Sequence, residues 1–108
     1  MRAELSLRLC GGEHSLALPM GALEDIAEKV EPEIYALAAR LANGTWKLAE
    51  VCGVLDTALK AGGADLSAED VIHDDGMMRA AEAAYLIMER ALMGKPSKKA
   101  GAVAKKKK

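Results

Sequence analysis

The chain has no phenylalanine and only three aromatic residues, Trp46, Tyr35 and Tyr85. A core built on clustered rings is excluded, and the interior has to come from Leu, Ala, Val, Ile and Met. It has two cysteines, Cys10 and Cys52, with neither a CxxC pair nor a zinc-type spacing, so a disulfide framework or thiolate metal site is not indicated and a reduced, cytosolic setting is expected. Long apolar runs are missing too. Met1 to Cys10 alternates in polarity where a secretory signal needs about 7 to 15 apolar residues, and no charge-free stretch approaches the roughly 20 that cross a bilayer. These absences predict a soluble, unexported protein with no membrane partner.

What is present fits one small domain. The 108 residues are 51% apolar, and a chain of this length buries only about two-thirds of the surface exposed on unfolding, which disfavours a two-domain enzyme with a cleft between halves. The net charge of −1 hides a division: the first 93 residues hold 8 basic and 16 acidic groups, a balance of −8, while residues 94–108 carry Lys95, Lys98, Lys99, Lys105, Lys106, Lys107 and Lys108 and no acid. With Gly94, Pro96, Ser97 and Gly101 among them and Val103 the sole large apolar side chain, residues 94–108 are read as a disordered lysine-rich tail on a domain of residues 1–93.

The period of the apolar residues sets the fold class. Ala3, Leu5, Leu7 and Leu9 alternate with Glu4, Ser6, Arg8 and Cys10, and Leu16 and Leu18 continue a period of two beyond Gly11-Gly12, which predicts a β-hairpin turning at the two glycines. From Pro19 the period becomes helical. Leu23, Ile26, Ala27 and Val30 form one stripe, and Ile34, Leu37, Ala38 and Leu41 form a second after Pro32. Asn43-Gly44 closes the second helix, and Thr45 is read as the N-cap of a third. Its stripe is Leu48, Cys52, Leu55 and Leu59, widened by Val51, Val54 and Ala58, before Gly62-Gly63. Ser67 to Asp70 fits a brief capped turn, and Asp75 is read as the cap of a last helix with Met78, Ala81, Tyr85, Met88 and Leu92 inward. The expected architecture is therefore α+β: an N-terminal two-stranded hairpin packed on a bundle of about four short helices.

Chemistry is sparse. His73-Asp74-Asp75 is the most suggestive cluster, but neighbours on a helix point about 100° apart, so convergence on one ion would need a folded loop. A helix boundary is the simpler reading. His14 reads as a half-exposed strand residue, and Cys52, on an apolar stripe, as a small buried hydrophobe. Neither glycine pair has the spacing of a phosphate loop. Glu24-Asp25 and Glu31/Glu33 read as solvated helix faces. No catalytic residue, metal or cofactor is expected, and the protein is read as a non-enzyme. The lysine tail suits a polyanion, but the body at −8 opposes one and no aromatics are interleaved for base stacking. Nucleic acid is therefore expected only as a non-specific associate of those lysines. Five of the six methionines, Met20, Met77, Met78, Met88 and Met93, are adaptable surface as well as core, with Met77 and Met93 expected outermost.

The order of features resembles the small tail assembly chaperone-like proteins of gene transfer agents and related siphophages, also labelled gene transfer agent tail proteins. The likeness rests on His14-Ser15-Leu16-Ala17-Leu18 and then Pro19-Met20-Gly21-Ala22-Leu23-Glu24-Asp25-Ile26, where the family has Leu-x-x-Gly-Ala-Leu-x-x-Leu/Ile before a Glu-rich helix. It continues through Leu37-Ala38-Ala39-Arg40-Leu41-Ala42-Asn43-Gly44, Val54-Leu55, Ala58-Leu59, Gly62-Gly63 and an Ala-rich last helix, over residues 3 to 93. The resemblance implies a non-enzymatic helper in tail morphogenesis, acting in the host bacterial cytoplasm during particle assembly. Its implied partners are the tape measure protein, whose apolar helices it would coat, and the tail tube protein, with self-association possible. Leu23, Ile26, Ile34 and Leu37, together with the hairpin edge, are the expected contact residues. A minor structural tail component is the alternative, as is a small protein that associates with nucleic acid through its tail.

Overall fold

The computed structural model describes residues 3–94; the lysine-rich tail expected beyond Gly94 lies outside them. Two strands come first, β1 (Ala3–Leu9) and β2 (Gly12–Leu18), followed by α1 (Met20–Lys29), α2 (Ile34–Asn43), α3 (Leu48–Ala61), α4 (Ala68–Asp75) and α5 (Met77–Met93). The α+β class with an N-terminal hairpin is as expected. The helices number five among the described residues, because the turn beginning at Ser67 extends into a helix of 8 residues. An isolated helix of that length is marginal in water. Here Ser67 Oγ accepts from Asp70 N, Asp70 Oδ2 accepts from Ser67 N, and Asp56 Oδ1 of α3 accepts from Ala68 N at 2.6 Å. Three of its otherwise unpartnered starting N–H groups are thus held.

The hairpin turns one residue earlier than the glycine pair predicts. Leu9 pairs with Gly12, which leaves Cys10 and Gly11 as the central residues at φ +52° and +80°, both positive as a type I′ turn requires. Turning at either place keeps Leu5, Leu7, Leu16 and Leu18 on one face, so the face pattern alone does not choose. A tertiary contact does: Cys10 N donates to Asp75 Oδ2 at 2.8 Å. Asp75, expected to open the last helix, instead ends α4, and Gly76 opens α5. A carboxylate at a helix C-terminus opposes the backbone dipole, and the bond from the turn offsets that cost.

α5 runs through the middle, packed on α2, α3, α4 and both strands. Its inward face is Ala80, Ala81, Ala83, Ala84, Ile87 and Met88. Of the expected stripe, Ala81 and Met88 are inward, whereas Met78 is 73% exposed and Tyr85 and Leu92 are only half-buried. Methyl side chains at the centre let the hairpin and α3 approach the helix closely, so the small residues go in and long Met78 goes out. On α3, Val51, Val54, Leu55, Ala58 and Leu59 are buried as expected, whereas Leu48, also expected inward, is exposed. Lys47, not Thr45, caps α3. Gly62 then lies so close to β2 that a Cβ there would sit 2.1 Å from the Ser15 carbonyl oxygen; only hydrogen fits in that space. Beyond this crossing Leu16, Ala17 and Leu18 are all buried, covered on both faces of the strand. No helix among the described residues is long and apolar enough to cross a membrane.

Candidate functional site

The most developed polar cluster sits where α1, α2 and α3 meet. Arg40, near the end of α2, donates from Nε to Glu50 Oε1 at 3.1 Å, from a terminal nitrogen to Glu50 Oε2, and from that nitrogen to Glu31 Oε1 at 3.1 Å. Glu50 also accepts from Lys47 N at 3.0 Å, closing the N-terminal box of α3. It is the one buried charged residue among those described, 4% exposed, and every oxygen has a donor. The Arg40 guanidinium holds the Glu50 carboxyl below the usual carboxylate range against the opposing effect of burial, and the two carboxylates raise the Arg40 pKa in turn. Glu31, read from sequence as a solvated face, is therefore a tether of the α1–α2 connection. No periodicity signals this trio, since its members lie 9 to 19 residues apart, on α2, on α3 and in the α1–α2 connection.

Beside it runs an open groove of about 820 Å³ between α1 and α3. Its walls come from one row of each helix. Ala22, Asp25 and Lys29 face Ala49, Gly53, Asp56 and Lys60, and Val30 and Ala61 complete the apolar part. A Cβ at Gly53 would lie 2.6 Å from a Val30 methyl, so this glycine sets how closely the helices approach. Small residues and charges of both signs line it together, an arrangement that accommodates a chain with apolar and charged positions alternating at helical spacing.

The four contact residues expected from sequence do not share one environment. Ile26 and Leu37 are fully buried, parts of the core under α1 and α2. Leu23 and Ile34 are half-buried at its rim. Exposed apolar side chains occur instead at Met20, Tyr35, Leu48, Met78 and Met93; sequence reasoning singled out Met93 and placed Leu48 and Met78 inward. Met77, expected outside, is half-buried.

The residues weighed for chemistry are dispersed. His73, Asp74 and Asp75 form the exposed last turn of α4, and Asp75 is engaged by the hairpin turn. Cys52 is half-buried rather than inside. Burial, with Asp56 and Glu69 nearby, pushes its thiol up, which keeps it a thiol near neutral pH and a poor nucleophile. Burial and the carboxylates of Asp74, Asp75 and Asp70 do the same to Cys10. Among the described residues no group of three or more His, Cys, Asp or Glu is placed to hold a metal ion.

Fold and cluster together define a small α+β domain in which a hairpin lies on five helices, cross-tied by arginine and carboxylate side chains. The family described as phage tail tube protein, GTA-gp10, matches residues 2–94, and the chain belongs to it: this is a phage and gene transfer agent tail protein of a structural family. The resemblance read from sequence is thereby supported for the tail family and narrowed, since the family's description is tail tube rather than assembly chaperone. No curated protein and no solved structure matches the chain.

Proposed function

We propose that the protein serves tail morphogenesis by holding other polypeptides, as an assembly chaperone for the tape measure protein that gives way to the tail tube protein. Membership of the tail family over residues 2–94 is the observation that carries the reading. The α1–α3 groove supplies a mechanism, because a helix with small or apolar residues on one side and charges on its flanks fits a lining that combines Ala22, Ala49 and Gly53 with Asp25, Lys29, Asp56 and Lys60. Leu23 and Ile34, half-buried and outside the groove's lining, offer the partner separate contacts. Ile26 and Leu37 act from within by keeping α1 and α2 in place. α1 and α2 are the peripheral helices, α1 packed on α3 and the end of β2, α2 on α5, and peripheral elements open locally at lower cost than central ones. A reversible grip of this kind requires no bond chemistry from the side chains.

The family's own description favours a second reading, a structural subunit of the tail. Mass spectrometry of purified intact particles separates the two: a chaperone is absent from finished particles, whereas a subunit is retained in fixed ratio. Co-purification with tape measure and tube proteins tests the grip directly. Wild type is expected to recover at least one of them and Leu23→Asp to recover less; recovery of neither by wild type, with Leu23→Asp indistinguishable from it, refutes the proposal.

A further inference from the structure

The outer edge of β1 is written in a self-complementary way. In an antiparallel pair joined by a two-residue turn, inward-bonding and outward-facing residues alternate along each strand, and with Leu9 opposite Gly12 the outward backbone groups of β1 are those of Glu4, Ser6 and Arg8. Two side chains of α5 confirm that parity. Arg90 donates to the Glu4 carbonyl at 2.7 Å and Arg79 to the Arg8 carbonyl at 3.0 Å, at exposed positions. Glu4, Ser6 and Arg8 are all exposed, so the middle of the strand presents a short, accessible edge, and such an edge is a template for another strand.

We propose that this edge pairs with the same edge of a second copy, forming a twofold dimer through antiparallel β1–β1 association centred on Ser6. The occupant is chosen by charge. With Ser6 opposite its own counterpart, Glu4 stands opposite Arg8 of the second copy and Arg8 opposite Glu4, on the exposed face, while Leu5 and Leu7 stand opposite one another on the apolar face. Opposite charges directly across a pair stabilise it, and like charges destabilise it. The other residue facing Arg8 on this surface is Glu13, its neighbour across the hairpin, so the arginine lies between two acids and the row Glu13, Arg8, Glu4 alternates in sign. The parity also fits, because the three residues that meet are those whose backbone groups point outward, giving a ladder of about six hydrogen bonds. Arg79 and Arg90 act as removable covers. Each holds one edge carbonyl from a solvent-accessible position, and Arg79 retains Glu82 at 2.7 Å when it lets go. On the same helical row between them lies Leu86, half-buried and outside the core cluster, an apolar side chain level with the middle of the strand.

The test uses the full chain in sedimentation velocity and oxidative cross-linking, with circular dichroism showing that each variant is folded. Wild type is expected to show a concentration-dependent dimer. Glu4→Arg and Arg8→Glu are each expected to weaken association about tenfold or more, and the double exchange Glu4→Arg with Arg8→Glu to restore it to within about threefold. In a background of Cys10→Ser and Cys52→Ser, Ser6→Cys is expected to form a disulfide-linked dimer under mild oxidation, since facing Cα atoms of a bonded pair lie about 5.5 Å apart, within disulfide range. Glu13→Cys, on the same face but on the other strand, is expected to cross-link far less. A chain that stays monomeric up to about 1 mM, a dimer indifferent to the single reversals, a double exchange that fails to restore, or equal cross-linking at both cysteines overturns the proposal. None of these outcomes depends on whether the tape measure protein is a partner.

Discussion

Replacing Glu50 by glutamine tests whether the junction of α1, α2 and α3 is held by charge or merely filled. The wild-type carboxylate is 4% exposed and accepts from Arg40 twice and from Lys47 N. The amide keeps one acceptor for the Lys47 N–H, but it turns an NH₂ toward the guanidinium and removes the charge. Hydrogen bonds to a charged partner contribute about 1.5–3 kcal/mol each. Arg40 keeps Glu31 and some water, since its side chain is 29% exposed, so the net loss is set near the value of one such bond, about 1.5–3 kcal/mol. With an m-value of about 1–1.5 kcal/mol per molar urea for a domain this small, the urea midpoint of Glu50→Gln at pH 7 falls by about 1–2 M. The pH dependence follows from the depressed carboxyl pKa of Glu50. Its contribution is fully present above the unfolded glutamate value, about 4.3, and is lost as pH falls through the still lower folded value. The gap between wild type and Glu50→Gln is therefore widest at neutral pH and closes below about pH 4. Arg40→Met, which leaves the buried carboxylate with only the Lys47 N–H, is expected to lose more than Glu50→Gln. Equal midpoints at pH 7, or a gap unchanged between pH 7 and pH 3, would refute the argument.

Two further outcomes come from packing. Gly62→Ala places a methyl 2.1 Å from a backbone oxygen of β2, a contact that neither element can relieve by rotating a side chain, so a loss of about 1–3 kcal/mol is expected in urea or thermal unfolding; a stability equal to wild type would show that α3 and the hairpin are not in that close contact. On α5, Met78→Lys is expected to change stability by less than about 0.5 kcal/mol and Ala84→Leu to cost about 1–3 kcal/mol, because Met78 is out and Ala84 is in. The reverse ranking would restore the stripe read from the sequence.

Much of the fold was legible because it follows local rules. The period of two in β1, the shift to helical spacing after Pro19, the left-handed Gly44 closing α2 and the Ser67 cap each depend on residues within one turn or one strand, and the structure bears each out. The errors cluster where a distant contact chose between locally equal options. Asp75 is as good a cap by sequence as it is an anchor, and only the approach of Cys10, 65 residues away, decides that it serves the hairpin. The bulky residues around Met78 also fall at helical spacing, so the pattern alone places them inward. The alanine row that truly faces in carries almost no hydropathy contrast, because its use is closeness rather than bulk. The site was less legible still. Glu31, Arg40 and Glu50 look like ordinary surface charges, and their meeting is a property of how three helices pack.

The cross-ties also explain how a core with three aromatics suffices. Helices as short as α1, α2 and α4, of 10, 10 and 8 residues, bury little each, and none is long enough to be stable alone. The chain fixes them with side chains that bond to a neighbour's backbone or to a carboxylate. Arg40 fixes the α1–α2 connection and the start of α3, Asp56 the start of α4, Asp75 the hairpin turn, and Arg79 and Arg90 the strand edge. Ties of this type sit at the ends and edges of elements, where they constrain position without adding apolar area. The two kinds differ in strength. Arg40 bonds to the buried Glu50 carboxylate, whereas Arg79 and Arg90, themselves half-buried, bond to carbonyls of the exposed residues Arg8 and Glu4, where water competes. The chain keeps the two kinds apart in sequence: the first lies between residues 31 and 50, and the second on the flanking elements β1 and α5.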